Sequence, residues 1–255
     1  TLLTPFKSAC MLFTTLATYV FGARLPKKFT KVIHPLVICT SLTWVGAKIL
    51  GLATGGASFL SVLSQYKVGS MCPVHLGAGD LLLFMLGPAV VSLACQMYDR
   101  KKLMAQNVAE VGTAVAVSSL GGLFGTSLLV RLLAIADPIL RLCMLSRNIT
   151  SPLAMAIASM IGADVGLAVS TVVVTGLIGA NFGASILDAF GITDPVARGL
   201  GVGAAAHGLG TAAFANEGDA FPFAAIGMAL TASACTVLVS VPVVRAALLK
   251  VALGR

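Results

Sequence analysis

Two short stretches hold the polar groups best suited to binding a solute. Arg147-Asn148-Ile149-Thr150-Ser151-Pro152 and His207-Gly208-Leu209-Gly210-Thr211 each place polar, helix-weakening residues inside an apolar run. The Arg147 guanidinium, with the Asn148 amide and the Thr150 and Ser151 hydroxyls beside it, suits an anionic group, because arginine presents several donors in a fixed fork. A helix that restarts after a break, near Pro152 or near Thr211, exposes backbone N–H groups with partial positive charge, and a carboxylate fits there. Gly208 and Gly210 belong to the same candidate binding set, as does Thr211 with its hydroxyl. His207 can carry a coupled proton, since imidazole titrates near neutrality, or it can sit neutral and donate to a nearby carbonyl. The three hydroxyls can equally back-bond to their own helices.

Four further residues are candidates for the cavity or for packing: Pro88, Arg141, Asn181 and Arg198. Arg141 and Arg198 stand one turn past Asp137-Pro138 and Asp194-Pro195, where a guanidinium can anchor at the interface or turn inward. Asn181 can glue helices together or line a cavity. No second histidine, cysteine or carboxylate falls at ligand spacing near His207, so no metal is expected. There is no nucleophilic triad and no phosphate loop, so neither an enzyme nor a cofactor is expected. Gly199, Gly201 and Gly203 follow no strand and read as close helix packing. Asp80, Asp164, Asn107 and Glu110 sit at segment ends and suit helix starts.

The elements that position these residues are membrane helices. Of 255 residues, 58% are hydrophobic and 10% charged, which a soluble domain of this size would not tolerate. Apolar runs long enough for roughly 30 Å of hydrocarbon recur, without the alternation of a membrane barrel. The expected fold is all-α and polytopic, with eight segments at about 5–23, 33–54, 80–98, 107–134, 138–162, 166–190, 195–215 and 220–250. Segments three, five and seven carry breaks at Gly87-Pro88, at 146–152 and around His207, while the fourth and sixth read as continuous. Residues 55–79 read as a loop or short interfacial piece. Non-helical backbone survives in a bilayer only where protein or a watery cavity satisfies it, so the breaks mark a solute pocket.

The net charge of +8 is gathered at segment ends, in Arg24, Lys27, Lys28 and Lys31 and in Arg100, Lys101 and Lys102. Those clusters place two loops on one side of the bilayer, and no nucleic-acid partner is expected. The six cysteines are scattered and read as small core residues. Thr1 opens almost directly into a segment without a transit peptide, so the chain reads as a mature or trimmed fragment. A duplication is visible: Asp137-Pro138, Arg141 and a break at Thr150-Ser151-Pro152 echo Asp194-Pro195, Arg198 and a break at His207 to Thr211. Repeats of broken helices are a carrier signature.

Leu86-Gly87-Pro88-Ala89-Val90-Val91-Ser92-Leu93-Ala94, Ile149-Thr150-Ser151-Pro152-Leu153-Ala154-Met155 and Ala197-Arg198-Gly199-Leu200 with Ala206-His207-Gly208-Leu209-Gly210-Thr211-Ala212 resemble the LrgB/CidB membrane family over nearly the whole chain. Val172 to Phe182, Pro222-Phe223 and Ser240-Val241-Pro242 are similar to its plastid branch. That resemblance implies a multi-pass carrier of the chloroplast inner envelope, exchanging the small 2-hydroxy monocarboxylates glycolate and glycerate in photorespiration. It implies an LrgB-like half whose LrgA-like partner region is missing here, and a homo-oligomer as a candidate assembly. A holin-like, lysis-regulating protein and a pyruvate-type carrier are the rival readings. Bacterial members carry lysine at Arg147 and an acid near Ser159 or Met160; only the charge at the first is kept. The wider superfamily implies elevator-type inverted repeats, with residues 1–54 as scaffold and 80–252 as the core of a single transporter domain. Eight full crossings would make the duplicated units parallel, so one segment is expected to be re-entrant.

Overall fold

The computed structural model describes residues 3–26, 33–70, 72, 75–99 and 101–254. Lys27, Lys28, Lys31, Pro73 and Arg100 lie outside the described residues. Among those described, the chain is helical and carries no strand. It separates into two compact units, Thr1–Ser92 and Leu93–Arg255.

In the first unit α1 (Leu3–Arg24) pairs with α2 (Pro35–Ala53). The helices close tightly because a Cβ on Gly46 would stand 2.7 Å from Thr14 Cγ2, and the Thr18 and Thr43 hydroxyls meet at 3.0 Å. The long connector holds α3 (Phe59–Ser64). The expected third segment is two helices, α4 (Ala78–Phe84) and α5 (Leu86–Asp99), interrupted at Met85. The break precedes Gly87-Pro88 because Pro88 has no N–H to return to the Phe84 carbonyl. Asp80 does more than cap a helix start: its buried carboxylate accepts from the N–H groups of Val68, Gly69 and Gly77 at 2.9, 2.9 and 3.0 Å.

The second unit runs through α6 (Lys101–Gln106), α7 (Val108–Leu120), a π turn at Gly121–Gly125, α8 (Thr126–Leu132), α9 (Pro138–Cys143), a 3₁₀ turn at Met144–Ser146, α10 (Ser151–Ile161), α11 (Val165–Ala189), α12 (Pro195–Ala213), α13 (Phe221–Ser240) and α14 (Pro242–Leu253). Aspartates start three of these helices. Asp137 accepts from Ile139 N, Asp164 from Leu167 N and Asp194 from Ala197 N, at 2.7–2.8 Å, and proline follows two of them at the first helical position. Where lipid removes the hydrophobic drive between helices, small residues let backbones approach. Accordingly α12 lies against both α11 and α13. A Cβ on Gly179 would fall on Ala206, and one on Gly203 would fall on the Ala224 carbonyl. Gly199 packs in the same way, whereas Gly201 meets nothing. The opposite stripe of α11, Val174, Ile178, Phe182 and Ile186, is exposed at i, i+4 spacing and suits acyl chains.

Four helical stretches among the described residues are long and apolar enough to cross a membrane: Pro35–Ala53, Val108–Leu132, Val165–Ala189 and Phe221–Ser240. The other expected segments are shortened by breaks or diluted by polar residues. The segment expected at 220–250 divides at Val241, because Pro242 starts α14 and cannot continue the ladder of α13. The fourth segment runs through but carries the π turn; the sixth is unbroken.

The duplication has a local structural counterpart. Ile135-Ala136-Asp137-Pro138 with Arg141, and Ile192-Thr193-Asp194-Pro195 with Arg198, are built alike. Each begins after a residue of positive φ, Ala134 or Gly191, each aspartate caps the next helix, and each arginine returns to the isoleucine carbonyl six residues before it.

Candidate functional site

The first break is set by Pro152, which cannot donate to the Asn148 carbonyl and so ends the preceding helical path. Leu145 and Ile149, both fully buried, anchor the 3₁₀ turn in the core while the backbone opens to an extended Thr150 at φ −67°, ψ 144°. Thr150 makes no side-chain cap on α10. Among the described residues the Thr150 and Ser151 hydroxyls therefore remain free, as does the half-buried Arg147 guanidinium, which has no hydrogen bond or ion pair with any of them. Two neighbouring buried atoms, Ser146 Oγ and Asn148 Oδ1, also lack partners. The other side of the Asn148 amide is used: Nδ2 donates to the Ala204 carbonyl at 3.3 Å.

The second break is a single residue. His207 has φ 44° and ψ −142° inside α12, a conformation that costs a non-glycine residue about 1–3 kcal/mol and persists only when its surroundings hold it. Its buried imidazole supplies that hold. Nε2 stands 2.8 Å from the Val172 carbonyl, which can only accept, so Nε2 carries the hydrogen and donates. The ring occupies a notch that exists because residue 176 is glycine: a Cβ there would lie 2.5 Å from His207 Cε1.

Asn148 connects the two breaks. Ala204 belongs to the turn before His207, where the kink interrupts the i→i−4 ladder and leaves carbonyls to be satisfied from elsewhere. The same amide rests on Gly122 of the π turn, where an ideal Cβ would be 2.7 Å from Nδ2. Three irregular backbone stretches thus converge on one side chain.

The remaining candidates do not join this point. Thr211 donates to the Ala224 carbonyl of α13 at 3.4 Å, Gly208 faces Met228, and Gly210 packs on Val202 and Ala206 of its own helix. Arg141 donates through Nε to the Ile135 carbonyl at 2.5 Å and through Nη1 to that of Ala252. Arg198 is clasped by Glu217, through Nε and Nη2 at 3.0 and 3.1 Å, by Asp188 at 2.7 Å and by the Ile192 carbonyl. Both arginines therefore act as ties between helix ends. Asn181 is half-buried without a hydrogen bond, and Pro88 is exposed in the first unit.

Sequence reasoning did not single out Ser146, Gly122 or the buried, unpartnered Thr231 of α13. The pair Gly121-Gly122 was a usable signal for the π turn; a single threonine in an apolar helix gave none. Asp188 and Glu217 were inferable as partners of Arg198, because the chain has only nine acidic residues to offer. Among the described residues, no three His, Cys, Asp or Glu side chains gather to hold a metal ion. What the site offers is one unpaired cation, an uncapped helix N-terminus and a fixed amide, a set suited to a small anion with a polar substituent.

A model of the LrgB-like family matches residues 15–245. The plastidal glycolate/glycerate translocator 1, chloroplastic, of Arabidopsis thaliana is 41% identical over 245 residues, covering 94% of this chain and 47% of the plant protein. The chain thus spans about half the length of that relative. The uncharacterized protein YwbG of Bacillus subtilis (strain 168) is 27% identical over 200 residues, 78% of this chain and 81% of the bacterial protein. No solved structure matches the chain.

Proposed function

For a chain that belongs to the LrgB-like family, we propose the role of a secondary carrier of small 2-hydroxy monocarboxylates, glycolate and glycerate, in the chloroplast inner envelope, serving photorespiration. One observation carries this reading: two broken helices meet through Asn148 and Ala204 beside an arginine that no carboxylate among the described residues neutralises. A guanidinium held near the membrane interior is costly unless it is paired, and a solute carboxylate completes the pair. Arg147 and the first N–H groups of α10 hold the carboxylate in this reading, and Thr150 and Ser151 offer hydroxyls to the solute. His207, whose Nε2 is given to Val172, keeps Nδ1 for a coupled proton. The name of the plant relative, a chloroplastic glycolate/glycerate translocator, supports the substrate class and the plastid.

In the same reading the shorter and kinked helices join the four long ones to make about eight membrane segments, one of them re-entrant, in an elevator-type carrier. Residues 1–54 form a scaffold against which the core at 80–252 moves, and the LrgA-like region of a longer protein completes the assembly. The test is counter-exchange of labelled glycolate or glycerate in proteoliposomes of the purified protein. Exchange above that of empty vesicles is expected, with loss of at least tenfold in Arg147→Ala and partial retention in Arg147→Lys. Exchange no greater than that of empty vesicles rejects the carrier, and full activity in Arg147→Ala removes the arginine from the site.

A further inference from the structure

We propose that Asn148 reads the 2-hydroxyl group of the solute, accepting its hydrogen at Oδ1; this deepens the carrier reading and rests on it. The carbonyl of Ala204 can only accept, so the amide nitrogen must face it, as the 3.3 Å contact has it. That fixes which end of the amide is left over. Oδ1 is buried, with the residue only 6% exposed, and no donor among the described residues reaches it. Ser146 Oγ, two residues earlier and 1% exposed, is likewise unsatisfied. A buried acceptor of this kind requires a donor, which a hydroxyl of the solute can supply.

The chemistry of the leftover atom narrows the substrate. A carboxylate or a keto oxygen offers only lone pairs and cannot satisfy Oδ1, whereas a hydroxyl on the carbon next to the carboxylate can. Serine and threonine hydroxyls would not discriminate in this way, because they rotate to donate or accept. An amide locked at its nitrogen end has no such freedom, and Gly122 beneath it leaves the side chain against the π-turn backbone. With Arg147 adjacent in the chain to take the carboxylate, the pair selects 2-hydroxy acids over their unsubstituted and 2-oxo analogues. Alternation then moves the solute without exchanging the group that recognises it.

The experiment measures inhibition of labelled glycolate exchange in proteoliposomes by unlabelled glycolate, acetate and pyruvate. In the wild type, glycolate is expected to compete about ten- to hundredfold more strongly than either analogue, the scale for a buried polar partner left unpaired. In Asn148→Leu the three should compete within about threefold of one another, with the carboxylate still held by Arg147. Equal competition in the wild type overturns the hydroxyl assignment while leaving a carboxylate carrier standing. A folded Asn148→Leu protein that keeps the preference for glycolate also overturns it. If no carboxylate is exchanged at all, the carrier reading falls and this assignment with it. The wild-type comparison decides the question even where Asn148→Leu does not assemble.

Discussion

Replacing Gly176 by alanine tests whether the kink in α12 depends on the seat of His207. The added methyl would stand 2.5 Å from His207 Cε1, 2.7 Å from Nε2 and 2.8 Å from Leu209 Cδ1, against a relaxed carbon contact of about 3.5–4.0 Å. The ring must therefore move by roughly 1 Å, and the 2.8 Å bond to the Val172 carbonyl cannot survive that displacement. Losing the bond and leaving a buried imidazole N–H without an acceptor costs about 1–3 kcal/mol, and crowding a packed contact adds about 1 kcal/mol. The sum, about 2–4 kcal/mol, corresponds to a fall of about 4–16 °C in a chain of this size.

The assay is thermal unfolding of the purified protein in detergent, read beside glycolate exchange. Gly112→Ala is the control, since its Cβ meets nothing within 4 Å and the same methyl there should be neutral or stabilising by up to about 1 kcal/mol. Gly176→Ala is expected to unfold earlier and to lose exchange, because the His207 conformation loses the bond that holds it. Identical melting of the two alanine variants, with exchange intact in both, would refute the view that this notch holds the break.

The other expectations follow from the same geometry. Arg198→Ala should destabilise by about 2–4 kcal/mol while exchange per folded molecule stays normal, since its partners are Glu217, Asp188 and a carbonyl rather than solute. Glu217→Ala should cost more than Asp188→Ala, because Glu217 binds bidentately at 37% side-chain exposure whereas Asp188 is 66% exposed and held through one atom; an exposed pair is worth about 0–1 kcal/mol. Denaturation of the three variants checks that order, and a larger loss in Asp188→Ala would contradict it. The Asp80 carboxylate clamps the connector through the N–H groups of Val68, Gly69 and Gly77. In Asp80→Asn the Val68 and Gly69 amides should exchange with solvent faster, read by hydrogen exchange, and retained protection in that variant would argue against the carboxylate as the clamp.

Where the chain leaves its helices was legible because covalent chemistry decides it locally. Pro88, Pro152 and Pro242 each remove a donor whatever surrounds them, and the Asp-Pro pairs cap wherever they occur. The split at Pro242 was misread only because the apolar run continues across it. The two arginines of those pairs were placed correctly at helix ends, but their partners lie elsewhere in sequence: Ala252 is 111 residues from Arg141 and Glu217 is 19 from Arg198. Only four of the eight expected segments coincide with described helices long and apolar enough to cross, for a related reason. An apolar run records what lipid or core accepts, and α12, pressed between α11 and α13, is surrounded by protein and can carry Arg198, His207 and Thr211 without resembling a span.

The recognition geometry was the least legible part, because it depends on contacts between distant residues rather than on residue types. Asn148 and Ala204 are 56 positions apart, and nothing in either stretch announces the other. Both were nevertheless bracketed by the duplication. With Asp137 aligned on Asp194, Thr150 falls on His207, so the two breaks occupy equivalent places in the repeated unit. A repeat that breaks twice at the same register produces two sets of unsatisfied backbone groups, and neighbouring segments can satisfy one another only in part. Asn148 fills one of those vacancies at Ala204 and leaves its own oxygen open. On this argument the specificity of the site comes from a remainder: the acceptor left after the duplicated breaks have paired, for which a hydroxyl of the solute is the fitting donor.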